Sequence, residues 1–267
     1  MKEQAIRAVL LTMLLVAGSA LADSSGTESS APLKVAPISP AVRLLDVPQQ
    51  AMWAEQVAES LGWDTSPESS ESYSWQVERT LRDKKVGALM LGRIIQNGAP
   101  RGGQHVWAVL YRAPSGRLQG VVPLAIQVPY TNITEPTVRA DSMKLLGKRG
   151  EANRLLWVEL VDAFTTVSSE DYTEVKRGST HLGFVFRVDG AKGEIRCVAD
   201  DIPLRTTRWE KGAEEKTWSL KVSFPGSGVM KIEPGSEDLP SKMQEWLGVY
   251  DVSGKASAPL KESNHGG

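Results

Sequence analysis

An α+β fold is what this sequence predicts: an antiparallel β-meander or bent sheet, flanked by N-terminal helices and a C-terminal helix. Three observations carry that reading. Two apolar runs, His105–Arg112 and 117–130, meet at Ala113-Pro114-Ser115-Gly116, a turn in which Pro presets φ and Gly is free to take the last position. Residues 53–61 repeat their apolar members at helical spacing. Several later runs, among them 182–188, 194–199 and 218–224, alternate apolar and polar residues as half-buried strands do.

The chain begins with Lys2 and Arg7, then an apolar run over 8–17, then Ala20-Leu21-Ala22. This is the three-part pattern of a secretory signal peptide with an A-x-A cleavage site, so 1–22 is read as a signal peptide. The apolar run is shorter than the ~20 residues a spanning helix needs. Losing Lys2, Glu3 and Arg7 moves the formal charge from -1 to -2. A chain so near balance has no global basic field to collect nucleic acid. Residues 23–40 are small and polar, with Pro, and read as a flexible leader; 253–267 reads as a matching tail. The single α+β domain is expected over 41–252.

Asp46 with Gln49 three residues on, and Pro48 between them, has the form of a helix start. Behind it Trp53, Ala54, Val57, Ala58 and Leu61 form one stripe, and Gly62 is placed to end the helix. Ser74 is read as the cap of a second helix through Lys85, carrying Val77 and Leu81 inward. Residues 86–95 are almost continuously apolar and form a buried strand, which joins the central hairpin in a meander. With Arg112 opposite Arg117, Tyr111 faces Leu118, Val109 faces Gly120, Trp107 faces Val122 and His105 faces Leu124. Pro123 and Pro129 cannot donate to a ladder and point to an edge or a bulge.

A short helix is expected over 137–147, with Val138, Met143, Leu145 and Leu146 as its apolar members. Residues 154–167 fit either period; Thr165, Thr166 and Val167 favour a strand. A second hairpin turns at Asp189-Gly190, and 218–224 is turned toward 229–232 by Pro225-Gly226-Ser227-Gly228. The last element is read as a helix from about Leu239, with Met243, Trp246, Leu247 and Tyr250 on one stripe.

The one cysteine, Cys197, excludes an internal disulfide. An exported chain that rests on ordinary burial fits a bacterial periplasm better than an extracellular setting. As a nucleophile Cys197 would need a base, and His181 is the first to test. Alternation places Cys197 inside with Ile195 and Ala199 and turns His181 to the other face, so Cys197 reads as a small core residue. The three histidines, His105, His181 and His265, are dispersed, and no zinc or calcium spacing accompanies them. Neither G-x-S-x-G nor S-x-x-K occurs in the folded part. No metal, no cofactor and no catalytic residue is assigned.

For binding, Arg101-Gly102-Gly103 opens directly into the hairpin at His105, a basic turn able to hold an anion or a partner carboxylate. Tryptophan is abundant, eight against four Phe. Trp53, Trp107, Trp218 and Trp246 fall on inward stripes. Trp63, Trp75 and Trp209 sit near element ends, where an indole anchors an interface or stacks on a sugar. The expectation is an exported, periplasmic, non-enzymatic binding or accessory protein of a cell-envelope assembly with an envelope protein partner. Two alternatives stay open: a hydrolase of polysaccharide or cell wall working through Glu159 and Asp162 or Asp200 and Asp201, and a small-ligand carrier with an apolar cavity under the helices.

Overall fold

Two β-sheets build the fold, and a computed structural model describes it for residues 33–254 apart from 48, 99–102, 128–136, 168–172 and 227. The smaller sheet holds β2 (Arg43–Asp46), β3 (Ser72–Asp83), β4 (Gly87–Asn97), β5 (His105–Arg112) and β6 (Leu118–Gln127), in the order β2-β6-β5-β4-β3. The larger holds β1 (Lys34–Val35), β7 (Thr137–Leu146), β8 (Asn153–Val167), β9 (Glu174–Asp189), β10 (Glu194–Glu210), β11 (Lys216–Gly226), β12 (Val229–Pro234) and β13 (Gly248–Asp251). Their order is β1-β13-β12-β11-β10-β9-β8-β7. Every described ladder is antiparallel except β1 with β13.

Strand alternation distributes the apolar residues over three cores. Between the sheets, Leu89, Leu91, Trp107, Val109 and Tyr111 meet Leu156, Val158, Leu160, Phe184, Phe186 and Ile195. The intervening residues of β5, Val106, Ala108 and Leu110, face the opposite way and receive Trp53, Ala54 and Val57 of helix α1 (Trp53–Ser60). β5 is therefore buried on both faces. Each large side chain removed from water in this way stabilises the fold by ~1.5–3 kcal/mol. The third core lies on the other face of the large sheet, where Leu155, Trp157 and Val185 are covered by Leu220, Met230, Ile232, Tyr250 and Met243. The large sheet thus folds over upon itself. β10 makes the bend, with three register shifts against β9 between Cys197 and Arg205, and bulges of this kind bend a strand and raise its twist.

Several polar side chains tie the sheets together, two of them buried. Arg154 of β8, 8% exposed, pairs with Asp83 of β3 at 3.2 Å and donates to the carbonyls of Leu145 and Leu146. Gln119 of β6 accepts from the Ile195 amide at 3.2 Å and donates to Asp46.

The α+β expectation is overturned: strands dominate and helix is confined to short pieces. The sequence placed a helix from Ser74 to Lys85; the chain forms β3. A bulge between Val77 and Arg79 sends residues of one parity to two cores, Tyr73 and Trp75 to the core under α1 and Leu81 to the core between the sheets. Val77 and Leu81, four apart with Arg79 between them, are the pair that imitates a helix. Residues 137–147 form β7. Its bulge between Ala140 and Ser142 shifts the inward set from Val138 and Ala140 to Met143 and Leu145, a spacing that imitates a helix.

The C-terminal helix shrinks to one turn, α2 (Ser241–Gln244). Gly248, at φ +143, releases the chain into β13, which carries Tyr250. At the other end Asp46 belongs to β2, and α1 starts later, after a 3-10 turn at Gln50–Met52, without a side-chain cap. Gly62, at φ +73, does end that helix region.

The central hairpin has its turn where the sequence puts it, with the Gly116 amide donating to the Ala113 carbonyl at 2.9 Å. Its register is one residue away from the expected one. Gly116 is left-handed, at φ +91, and forms the extra residue of the loop, so Ala113 pairs with Arg117 and Arg112 with Leu118. A further shift beside Pro123 then sets Trp107 opposite Ala125; β6 lies inside the sheet, so a bulge and not an edge accommodates that proline. Pro129 lies outside the described residues.

Candidate functional site

The residues singled out from the sequence fall into separate places. Arg101 and Gly102 lie outside the described residues. Gly103 crosses β4 so closely that a side chain there would strike the Gln96 carbonyl, and Gln104 completes the crossing by donating to Gln96 Oε1 at 3.1 Å. His105 pairs with Ile95 and Gln127; its Nδ1 is buried with no hydrogen-bond partner among the described residues. Burial, then the Arg93 charge, holds its pKa below the ordinary histidine value. At neutral pH it is an uncharged ring, unsuited to gripping an anion.

Trp63 and Trp75 come together in the layer around α1. Trp63 stacks on Tyr73 at 5.7 Å, and Trp75 meets Trp53 edge-on at 6.3 Å with its own ring against Gly92. Trp209 stands on the large sheet instead, under the Arg177 guanidinium at 5.1 Å. Two ion pairs lie beside it, Lys176 with Glu210 at 2.9 Å and Arg177 with Glu215 at 3.4 Å. The three indoles do not converge on one surface.

The candidate chemistry separates equally well. Cys197 is buried, its thiol donates to the Ala199 carbonyl at 3.5 Å, and burial and the Asp200 charge push its pKa up. The thiolate is suppressed. His181 lies on the other side of the sheet, 3.9 Å from Asp141. Ala199 does not join Cys197 as alternation suggested, because the bulge between them sends it to the folded-over core.

Asp200 sits on the bulged stretch of β10, followed by Asp201 in the left-handed region at φ +53. Both carboxylate oxygens of Asp200 accept from the Ser39 amide, at 3.0 and 3.1 Å. Burial raises its pKa to about 6 against the partial relief of that bond. Only 4% exposed, it pins the segment between β1 and β2 and has no opening toward a substrate. Glu159 and Asp162, three apart on a strand, point to opposite faces. Among the described residues no group of three or more His, Cys, Asp or Glu converges as metal ligands would, and no helix is long and apolar enough to cross a membrane.

Among the described residues the fold assembles a cleft of about 410 Å³ beside Trp209 and Trp218 and another of about 350 Å³ at the mouth of the folded-over sheet. In the latter, Trp157, Leu146 and Leu204 form the inner part, and Leu220, Val222 and Phe224 of β11 form the facing wall. Trp157 and Phe224 touch edge to face, 5.6 Å between centroids, an arrangement that adds ~0.5–1.5 kcal/mol beyond area burial. Gly183 makes room for the floor: a side chain on it would meet the Trp157 ring at 2.7 Å and Leu204 at 3.2 Å. The polar lining comes from Lys144, Glu159, His181 and Arg205. Glu159 is engaged at 2.5 Å by the indole N–H of Trp157.

Sequence reasoning missed Lys144, Trp157, Arg205 and Phe224 as a group. One signal was present: in the run 155–160 the apolar set Leu156, Val158 and Leu160 leaves Trp157 on the same side as Glu159. A large indole on the supposedly polar side of a strand marks a second buried surface. Compared with known protein families, with curated proteins and with solved structures, the chain has no significant match.

Proposed function

We propose that this chain is an exported, non-catalytic binding protein whose recognition site is the cleft at the mouth of the folded-over sheet. The observation that carries the reading is the composition of that cleft: an aromatic and aliphatic interior beneath a few charged groups, the make-up typical of small-molecule sites. Its ~350 Å³ lies near the low end of their usual range of ~300–1,000 Å³. The acid/base alternative loses its best carboxylate to the Ser39 pin and its second pair to opposite faces of β8. The carrier reading gains a cavity, though in the curl of the large sheet and not under the helices. Export rests on the signal-peptide pattern of 1–22.

Two measurements test the proposal. Residues 1–22 fused to a phosphatase active only after export should produce activity; a silent fusion would remove the exported part of the reading. Native mass spectrometry of the mature protein purified from its envelope fraction should find a small molecule bound one to one, displaced in Val222→Arg, which fills the cleft. An identical ligand load in both proteins would move the site elsewhere.

A further inference from the structure

We propose that the cleft takes a single-chain amphiphile with an anionic head, a carboxylate or phosphate monoester, its tail laid against the joined Trp157 and Phe224 rings and along Leu204 and Val222, and its head between Lys144 and Arg205. This rests on the reading of the cleft as the recognition site. The charge pattern favours an anion. Lys144 and Arg205 are exposed at the lining, and among the described residues neither has a carboxylate within ion-pair distance. The lining holds one carboxylate, Glu159, and the Trp157 indole already donates to it. Two cations therefore stand at the lining against one carboxylate, Glu159, which the indole draws to the inner wall without neutralising it, while Asp141 lies just outside, beside His181.

The apolar part favours an alkyl tail. Trp157 is only 6% exposed, and Leu220, Val222 and Phe224 stand opposite it on one strand face. At ~30 Å³ per water-sized group, the volume accepts about a dozen such groups, which fits a medium-length chain with its head and not a membrane bilayer lipid with two tails. An aromatic-walled slot with cations at its rim gives the two ends of such a ligand distinct places: burial holds the tail and charge-assisted hydrogen bonds orient the head.

Calorimetry on the mature full chain, with decanoate, decyl phosphate, decan-1-ol, decyltrimethylammonium and acetate all below their micelle concentrations, decides the matter. Both long-chain anions should bind one to one and the cationic amphiphile should not. The double variant Lys144→Gln with Arg205→Gln, at two exposed positions that leave the cores intact, should weaken the anions about tenfold and leave decan-1-ol unchanged. Decan-1-ol binding as tightly as decanoate, or a variant indifferent to charge, would overturn the anionic head while leaving the cleft as a site. Acetate binding as tightly as decanoate would overturn the tail. Binding by none of the long-chain probes would overturn the cleft reading itself. Decanoate against decyl phosphate tells which anion the rim prefers.

Discussion

Asp200 makes the fold less stable as pH rises, and Asp200→Asn should remove that dependence. Its carboxyl titrates at about 6 in the folded chain against 3.8 for a free aspartate, because burial penalises the charge more than the Ser39 amide relieves it. The folded state therefore holds the proton more tightly than the unfolded state does. The stability this confers is fully present below the unfolded value and is lost as pH climbs through the folded one. A gap of this size at ~1.4 kcal/mol per unit amounts to about 3 kcal/mol, with most of the change between about pH 4 and 6.5. Asparagine carries no charge to desolvate, and its side-chain oxygen can still accept from Ser39. Urea unfolding of both proteins, followed by tryptophan fluorescence from about pH 3 to 7, isolates the group together with its coupling to the neighbouring Asp201 charge, since uncoupled titrations cancel in the difference. The wild type should lose about 3 kcal/mol relative to the variant as pH rises. Parallel profiles would refute the reasoning. So would a wild type that gains on the variant with rising pH, since the Ser39 bond would then outweigh burial.

Three further outcomes follow from the packing. Arg154→Leu should cost ~3–5 kcal/mol in chemical denaturation, because it takes the cation from the Asp83 carboxylate, which is left with the Lys85 and Val86 amides, and the guanidinium bonds from two carbonyls at the joint between the sheets; a change under ~1 kcal/mol would mean water replaces the guanidinium. Gly120→Ala should lower the melting temperature through a cost of ~1–3 kcal/mol, since the added carbon would collide with the Trp53 ring, and an unchanged melting temperature would show that Trp53 shifts freely. Cys197 in the native protein should react with a disulfide reagent only as fast as the chain unfolds; rapid labelling at neutral pH would contradict its burial.

The elements legible in the sequence are those whose identifying stretch is mostly free of bulges. The strand at 86–95 pairs evenly with β5, and the hairpin at Asp189-Gly190 is regular next to its turn, from Glu194 opposite Asp189 to Cys197 opposite Phe186, before its register shifts begin; with the alternating run 218–224 they emerge as β4, β9–β10 and β11. The helix at 53–61 was equally plain, because its stripe packs on a single surface. The misread elements both contain a bulge. In β7 the extra residue moves the inward set from one parity to the other and leaves a spacing of three, while in β3 it sends residues of one parity to two cores, and the spacing of four from Val77 to Leu81 resembles a helix.

The same physics hid the cleft. On β10 the shift between Pro203 and Arg205 brings Leu204 over Gly183 and sets Arg205 opposite His181, so that neighbours in sequence line one cavity where regular alternation would have divided them between two faces. The folding-over of the large sheet, which gives Trp157 its covering wall of β11 residues, depends on those bulges. A single-strand pattern contains half of the information, the indole on the polar side; the other half resides in a register that only the paired strand defines. The bulges of β10 are thus at once the obstacle to reading this fold from its sequence and the device that places two cations at the rim of an apolar slot.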